Sequence, residues 1–162
     1  MVRNQKLIAD FFIFFVMEIE PVILEGETVR LEPLREVHLD ALSEAGLIEE
    51  IWRWSPDRIN NHADMRRYIE TALDDERRGR ALPFVTVEKT CAKIVGSTRF
   101  GNIDVPNRRA EIGWTWINPA WQRTYINTEA KLLMLSHAFE TWNCIRVEFK
   151  TDALNEKSRN AI

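Results

Sequence analysis

The sequence is poor in the residues that staple small proteins or hold metals. Cysteine occurs twice, at Cys91 and Cys144, and histidine three times, at His38, His62 and His137. Two thiols make neither a disulfide framework nor a zinc site, and the histidines lie far apart without metal-type spacing. No metal is therefore expected, and the cysteine usage fits a reducing, cytoplasmic setting. An excess of positive charge is also missing. Twenty-two Lys and Arg face 25 Asp and Glu, for a formal charge of -3. That balance leaves no electrostatic footprint for nucleic acid. Basic residues do cluster in "MRRYIETALDDERRGR", but acids are mixed among them, as on the solvated face of a helix.

Long hydrophobic runs are absent as well. The N-terminal "MVRNQKLIADFFIFFV" is interrupted by Asp10 and lacks an A-x-A-like cleavage site, so it makes a poor signal peptide. It is too short to span a bilayer as a helix, and no membrane is expected as a partner. Residues 1–16 read as an extension ahead of a domain that starts near Met17, with a surface-anchoring segment as the alternative. No internal repeat, linker or low-complexity stretch interrupts the rest.

What is present fits one folded domain. Of the 162 residues, 45% are apolar and 29% charged, ordinary values for a chain with a core. "ETVRLEPL" (27–34) alternates as a strand ended by Pro33. "REVHLDALSEAG" (35–46) and "LIEEIWRWSP" read as helices, the second ending before Pro56. From Asp64, read as an N-cap, Met65, Tyr68, Ile69, Ala72 and Leu73 follow helical spacing. "LPFVTVEK" and "KIVGSTRFGNID" read as strands joined at Lys89–Ala92. "RRAEIGWTWIN" alternates Ala110, Ile112, Trp114 and Trp116 against Glu111, Gly113, Thr115 and Ile117. The apolar stretch from Thr128 to about Trp142 predicts a helix that is mostly buried. "CIRVEFKTD" predicts a half-buried strand, with Ile145, Val147 and Phe149 on one side, and "NEKSRNAI" opens a helix. The strand–helix–strand unit implies a parallel pair. The fold class is α+β with a mixed sheet.

The stretch "NPAWQRTYINTEAKLLML" (118–135) leads from a strand through a polar turn into a helix. A helix N-terminus offers unpaired N–H groups and partial positive charge, so this turn can cap the helix or hold a phosphate. Arg123 adds charge, and Gln122, Thr124, Asn127 and Thr128 add donors. Taken alone, capping is the better reading of so short a motif.

The order of "EIGWTWINPAWQRT…NTEAKLLML" and "FETWNCIRVEFKTDALNEKS" resembles the GCN5-related N-acetyltransferase (GNAT) superfamily. The branch it is most similar to includes the ribosomal-protein alanine acetyltransferases. The resemblance runs from about Glu20 onward and implies the acyl-CoA N-acyltransferase fold, with a mostly antiparallel sheet flanked by helices. It implies more helix and a further strand pair after Asn155, so that 17–162 would be an N-acetyltransferase domain incomplete at its C-terminus, with an open sheet edge. It also implies acetyl-CoA as co-substrate and a primary amine as acceptor, either a small molecule or a protein N-terminus. A homodimer is left open.

The resemblance assigns cofactor binding to Trp116, Ile117 and Asn118 along the pantetheine arm, and to Gln122, Arg123, Thr124, Tyr125, Ile126, Asn127 and Thr128 around the pyrophosphate. Tyr125 and Asn127 stand where the Q/R-x-x-G-x-G/A pattern has glycine. Asn tolerates a left-handed backbone and Tyr does so poorly, so the Tyr125 side chain is expected to turn outward. Glu111 is the candidate base, on the face opposite the tryptophans, and is equally readable as a strand carboxylate paired with Arg108 or Arg109. Asn155 and Ser158 match an N-x-x-S pattern near the cofactor sulfur, and Asn155 also reads as a helix cap. Trp52, Trp54 and Arg99 are assigned to the acceptor side, while Trp114 reads as core. The competing function is a non-catalytic family member that binds coenzyme A or a protein partner.

Overall fold

A computed structural model describes residues 17–162, and the extension read into residues 1–16 lies outside them. Six strands form one sheet in chain order: β1 (Leu24–Glu25), β2 (Val29–Pro33), β3 (Leu82–Glu88), β4 (Lys93–Asp104), β5 (Arg109–Ile117) and β6 (Arg146–Glu148). Every neighbouring pair is antiparallel except β5 and β6, which are parallel. Parallel neighbours need a crossover, and α4 (Tyr125–Ser136) supplies it. Between β2 and β3 lie α1 (Leu39–Gly46), α2 (Glu49–Trp52) and α3 (His62–Arg77), and α5 (Glu156–Arg159) follows β6. This is the α+β mixed sheet that the sequence predicts.

The sheet separates two apolar layers. Under α4, Leu31, Phe84, Phe100 and Ile112 pack against Ile126, Ala130 and Met134. On the other face, Val85, Val87 and Trp116 pack against Leu42, Met65, Ile69 and Trp52 from the first three helices. The period-2 pattern of the strands and the 3.6 pattern of α3 bury these residues.

Several boundaries differ from the sequence reading. The cap of α3 is Asn61, whose side chain accepts the Asp64 N–H; Asp64 lies within the first turn. Thr124 caps α4, so that helix starts three residues before Thr128. It buries one stripe rather than most of its surface, and Leu132 and Phe139 point outward. Beyond Ser136 the chain winds into a π-helical turn, His137–Thr141. β6 is shorter than "CIRVEFKTD", and Ile145 is exposed where a buried position was expected.

The largest departure is in β5. Its register with β4 shifts between Ser97 and Arg99, and Trp114 there has φ +49°. An extra residue in one strand reverses the side-chain parity beyond it. Ala110, Ile112 and Ile117 therefore share the α4 face, while Trp116 joins the opposite layer. Trp114 is not core but 38% exposed. Glu111 stands on the same face as the tryptophans, not opposite them.

Candidate active site

Pairing between β5 and β6 covers only Arg109–Glu111 against Arg146–Glu148. Beyond Glu111 the two chains diverge, so that edge of Ile112–Ile117 has no strand partner among the described residues. A cleft of about 510 Å³ opens in this wedge. β5 lines one side from Glu111 to Trp116, and Phe149, Lys150, Asn155 and Ser158 line the other. Trp52, Trp54 and Tyr68 close the end toward α2 and α3.

Glu111 is buried, and its Oε2 accepts a bond from Asn102 Nδ2 at 2.8 Å and pairs with the Lys150 ammonium. The partner is thus neither Arg108 nor Arg109; Arg109 pairs with Asp104 and Glu148. Both contacts use Oε2, and Oε1 lies toward Gly113, where an added Cβ would stand 3.3 Å away. The Glu111 carboxylate in turn holds the Lys150 pKa above its ordinary value. Lys131, projecting from α4, also lines the cleft, with its ammonium 4.9 Å from the centre of the Phe149 ring. Burial lowers the Lys131 pKa. The sequence reading missed both lysines. Lys131 had a signal, as the one charge within the apolar run "AKLLML"; the long-range pairing of Lys150 had none.

The turn before α4 is built differently from its sequence reading. Gln122 does not point outward as a donor; its Nε2 bonds the Ile117 carbonyl at 3.0 Å. Asn118 ties the end of β5 to α1 through the Ala45 carbonyl at 2.9 Å. The left-handed residue is Arg123, at φ +60°, rather than position 125 or 127. Tyr125, Ile126, Asn127 and Thr128 form the first turn of α4. The Tyr125 ring does turn away, and its hydroxyl donates to Glu88 Oε1 at 3.0 Å. Thr124 Oγ1 takes the Ile126 N–H at 3.4 Å. The other first-turn N–H groups have no preceding helical acceptor. Arg123, Thr124 and Thr128 are exposed there. The cleft lining includes Trp116 and Lys131 but none of residues 117–130; the polar, cationic helix start by itself suits a phosphate.

The remaining candidates divide. Asn155 Oδ1 accepts the Ser158 N–H at 3.1 Å, so Asn155 caps α5 and both residues border the cleft. Trp52 is core as much as pocket: its Nε1 donates to the Gly46 carbonyl at 2.8 Å, and its ring packs on Tyr68 and Trp116. Trp54 is partly exposed under the Arg53 guanidinium. Arg99 is buried between Tyr68 and Trp114. Among the described residues no three His, Cys, Asp or Glu side chains converge as a metal site would require. No described helix is long and apolar enough to cross a membrane.

An acetyltransferase (GNAT) domain model matches residues 28–162. The chain belongs to the GNAT acetyltransferase family. No curated protein matches the sequence. Among solved structures, a GCN5-related N-acetyltransferase from Brucella melitensis is 29% identical with a TM-score of 0.78. The match covers 88% of this chain, which spans 65% of that protein's length. RimJ of Mycobacterium smegmatis, solved in complex with CoA-disulfide, is 24% identical with a TM-score of 0.70, over 87% of this chain and 70% of its own. An acetyl transferase of Salmonella typhimurium that modifies the N-terminal serine of ribosomal protein L7/L12 is 22% identical with a TM-score of 0.75. That match covers 86% of this chain and 81% of the Salmonella protein. At these last identities the likeness is one of fold.

Proposed function

We propose that this GNAT domain transfers the acetyl group of acetyl-CoA to a primary amine, in the cytoplasm, by direct attack in a ternary complex. The observation that carries the reading is the divergence of β5 from β6 directly beyond Glu111, which leaves a strand edge and a buried carboxylate facing one cleft. Acetyl-CoA, when bound, supplies the activated thioester carbonyl. Unpaired N–H groups along the free edge of Ile112–Ile117 offer donors for charge that develops on oxygen. The start of α4, with Arg123, Thr124 and Thr128, offers N–H groups and a cation to phosphates. Glu111 Oε1, free of the Lys150 and Asn102 contacts, takes a proton from the substrate ammonium, directly or through water, and the neutral amine so formed attacks the thioester carbonyl. As the C–S bond breaks, the extra proton on the attacking nitrogen passes through the Ser158 hydroxyl to the departing sulfur, which leaves as CoA thiol, and Asn155 positions Ser158 by capping α5.

The fold likeness to RimJ and to the Salmonella enzyme supports placement near the ribosomal-protein acetyltransferases and a protein N-terminus as one class of acceptor. A non-catalytic, CoA-binding role is the second reading, favoured by the commitment of Gln122 and Asn155 to structural bonds. Release of CoA thiol with a panel of amines separates the two. Glu111→Gln should lower turnover by roughly 10²-fold or more, the scale of a lost general base, while acetyl-CoA affinity stays within about twofold. Unchanged turnover in Glu111→Gln removes Glu111 from the mechanism.

A further inference from the structure

We propose that the amine acceptor also carries a carboxylate, and that the Arg99 guanidinium, held between Tyr68 and Trp114, binds it. This deepens the acetyl-transfer reading, on which the word acceptor rests.

Arg99 is 3% exposed. Its guanidinium carbon lies 5.1 Å from the Tyr68 ring centre and 5.0 Å from that of Trp114. Two aromatic faces orient the fork. They do not replace a counter-ion. Arg99 Nε has no hydrogen-bond partner among the described residues, and no described carboxylate forms an ion pair with Arg99. Arg109 offers the contrast. Its Nε is also without a partner, yet its terminal nitrogens bind Asp104 and Glu148. A buried charge without an anion is costly. The rigid, bidentate guanidinium fork matches a carboxylate.

The surroundings give that carboxylate a place. Arg99 faces a second cavity of about 440 Å³, between α3 and the segment from Pro56 to Ile59. Pro56, Asp57, Tyr68 and Trp114 line both this cavity and the wedge, so the two join at Trp114. The second cavity is lined by Asp57, Asp64 and Asp75 and by Arg58, Arg67 and Arg99; Asp64 pairs with Arg67, and Asp75 pairs with Arg80, which lies outside the lining. With Asp75 taken by Arg80 from outside, Arg58, Arg99 and Asp57 are the lining charges left without a described ion-pair partner.

Register sets the distance to the proposed base. Arg99 stands opposite Gly113, and Glu111 stands opposite Gly101. They are diagonal neighbours on one face, about 7–8 Å apart. Neither glycine carries a side chain, and the Trp114 ring lies over Gly101, where an added Cβ would stand 2.3 Å from it, so a ligand that reaches both groups runs along that ring. A small molecule with an amine and a carboxylate a few atoms apart can therefore reach Glu111 and Arg99 together, lying along the Trp114 ring. The chemical class is an amino acid or a compound with the same two groups.

The test is titration calorimetry of the full chain with coenzyme A present. Glutamate, aspartate and alanine are compared with their α-carboxamides, and the dipeptide amide Glu-Ala-NH₂ with Gln-Ala-NH₂. At least one carboxylate should bind roughly tenfold or more tightly than its amide, the scale of a charge-assisted pair. A preference only in the dipeptides assigns the carboxylate to an acidic side chain next to a peptide N-terminus. Arg99→Gln should abolish the preference and Arg99→Lys should keep part of it. Equal binding of acids and amides by the wild-type chain overturns the proposal, as does a preference that survives in Arg99→Gln. Should Arg99→Gln not fold, the wild-type pairs and Arg99→Lys decide the matter. Failure of the acetyl-transfer reading looks different: carboxylates are preferred, but acetyl-CoA yields no thiol release with any of them.

Discussion

A carboxylate that accepts bonds from a thiol, a backbone N–H and a phenol is hard to protonate. Glu88, fully buried at the end of β3, is such a group. The Cys91 thiol and backbone N–H, with Thr90 and Tyr125, hold its pKa down at about 2, against an ordinary 4.5. The folded pKa lies below the unfolded one, so the unfolded chain binds more protons between the two values. The stabilisation is complete above about pH 4.5 and is lost as pH falls toward 2. The thermal stability gap between the wild-type chain and Glu88→Gln should therefore be widest near neutral pH and close toward pH 2. A gap that stays constant across that window contradicts the assignment. Arg123 gives a second prediction. A non-glycine residue in the left-handed region costs about 1–2 kcal/mol, and Arg123 sits at φ +60°. Arg123→Gly should raise the denaturation midpoint by up to about 1 kcal/mol in stability, after the chain-entropy cost of glycine. Acetyl-CoA affinity should fall in the same variant, because the cation at the start of α4 is gone. No residue pattern marks position 123 as left-handed. The family-like glycine pattern points to 125 and 127, which the early cap at Thr124 turns into ordinary helix.

Elements were legible where one period ran without a break. α3 is plain in the spacing of Met65, Tyr68, Ile69, Ala72 and Leu73, all buried as expected. β5 was legible as a strand but not as a bulged one. Trp114 and Trp116 fit a two-residue period with Ile112, so the pattern gives no sign that a shift at Trp114 separates them. Next to the shift, β4 approaches β5 closely. An added Cβ at Gly96 would stand 2.2 Å from the Trp116 carbonyl oxygen. Gly96→Ala should therefore push the strands apart and destabilise the fold by about 1–3 kcal/mol, as measured by denaturant unfolding. A neutral substitution would show that β4 can withdraw without cost. α4 was legible in its apolar residues and missed at its start, because Thr124 reads as one more polar turn residue until its hydroxyl is seen on the Ile126 N–H.

For the whole molecule, the succession of elements carried most of what the sequence revealed. A parallel strand pair around an apolar helix, after antiparallel strands, fixes the side on which the sheet opens. The family model and the solved relatives agree with that arrangement. The partners within the cleft were not legible. Lys150 reaches Glu111 from the segment just after β6, distant in sequence, and Arg99 gains its aromatic walls from α3 and from the bulge. Such contacts depend on tertiary distances that no local spacing records. The same contacts carry the functional account, which requires the wedge to hold acetyl-CoA with Glu111 turned toward an amine. The most direct test is calorimetric titration of the folded chain with acetyl-CoA, followed by addition of amines with detection of free thiol. The account predicts saturable binding at one site and thiol release that requires an amine. A folded chain that binds no acetyl-CoA, or binds it and releases no thiol with any amine, contradicts it.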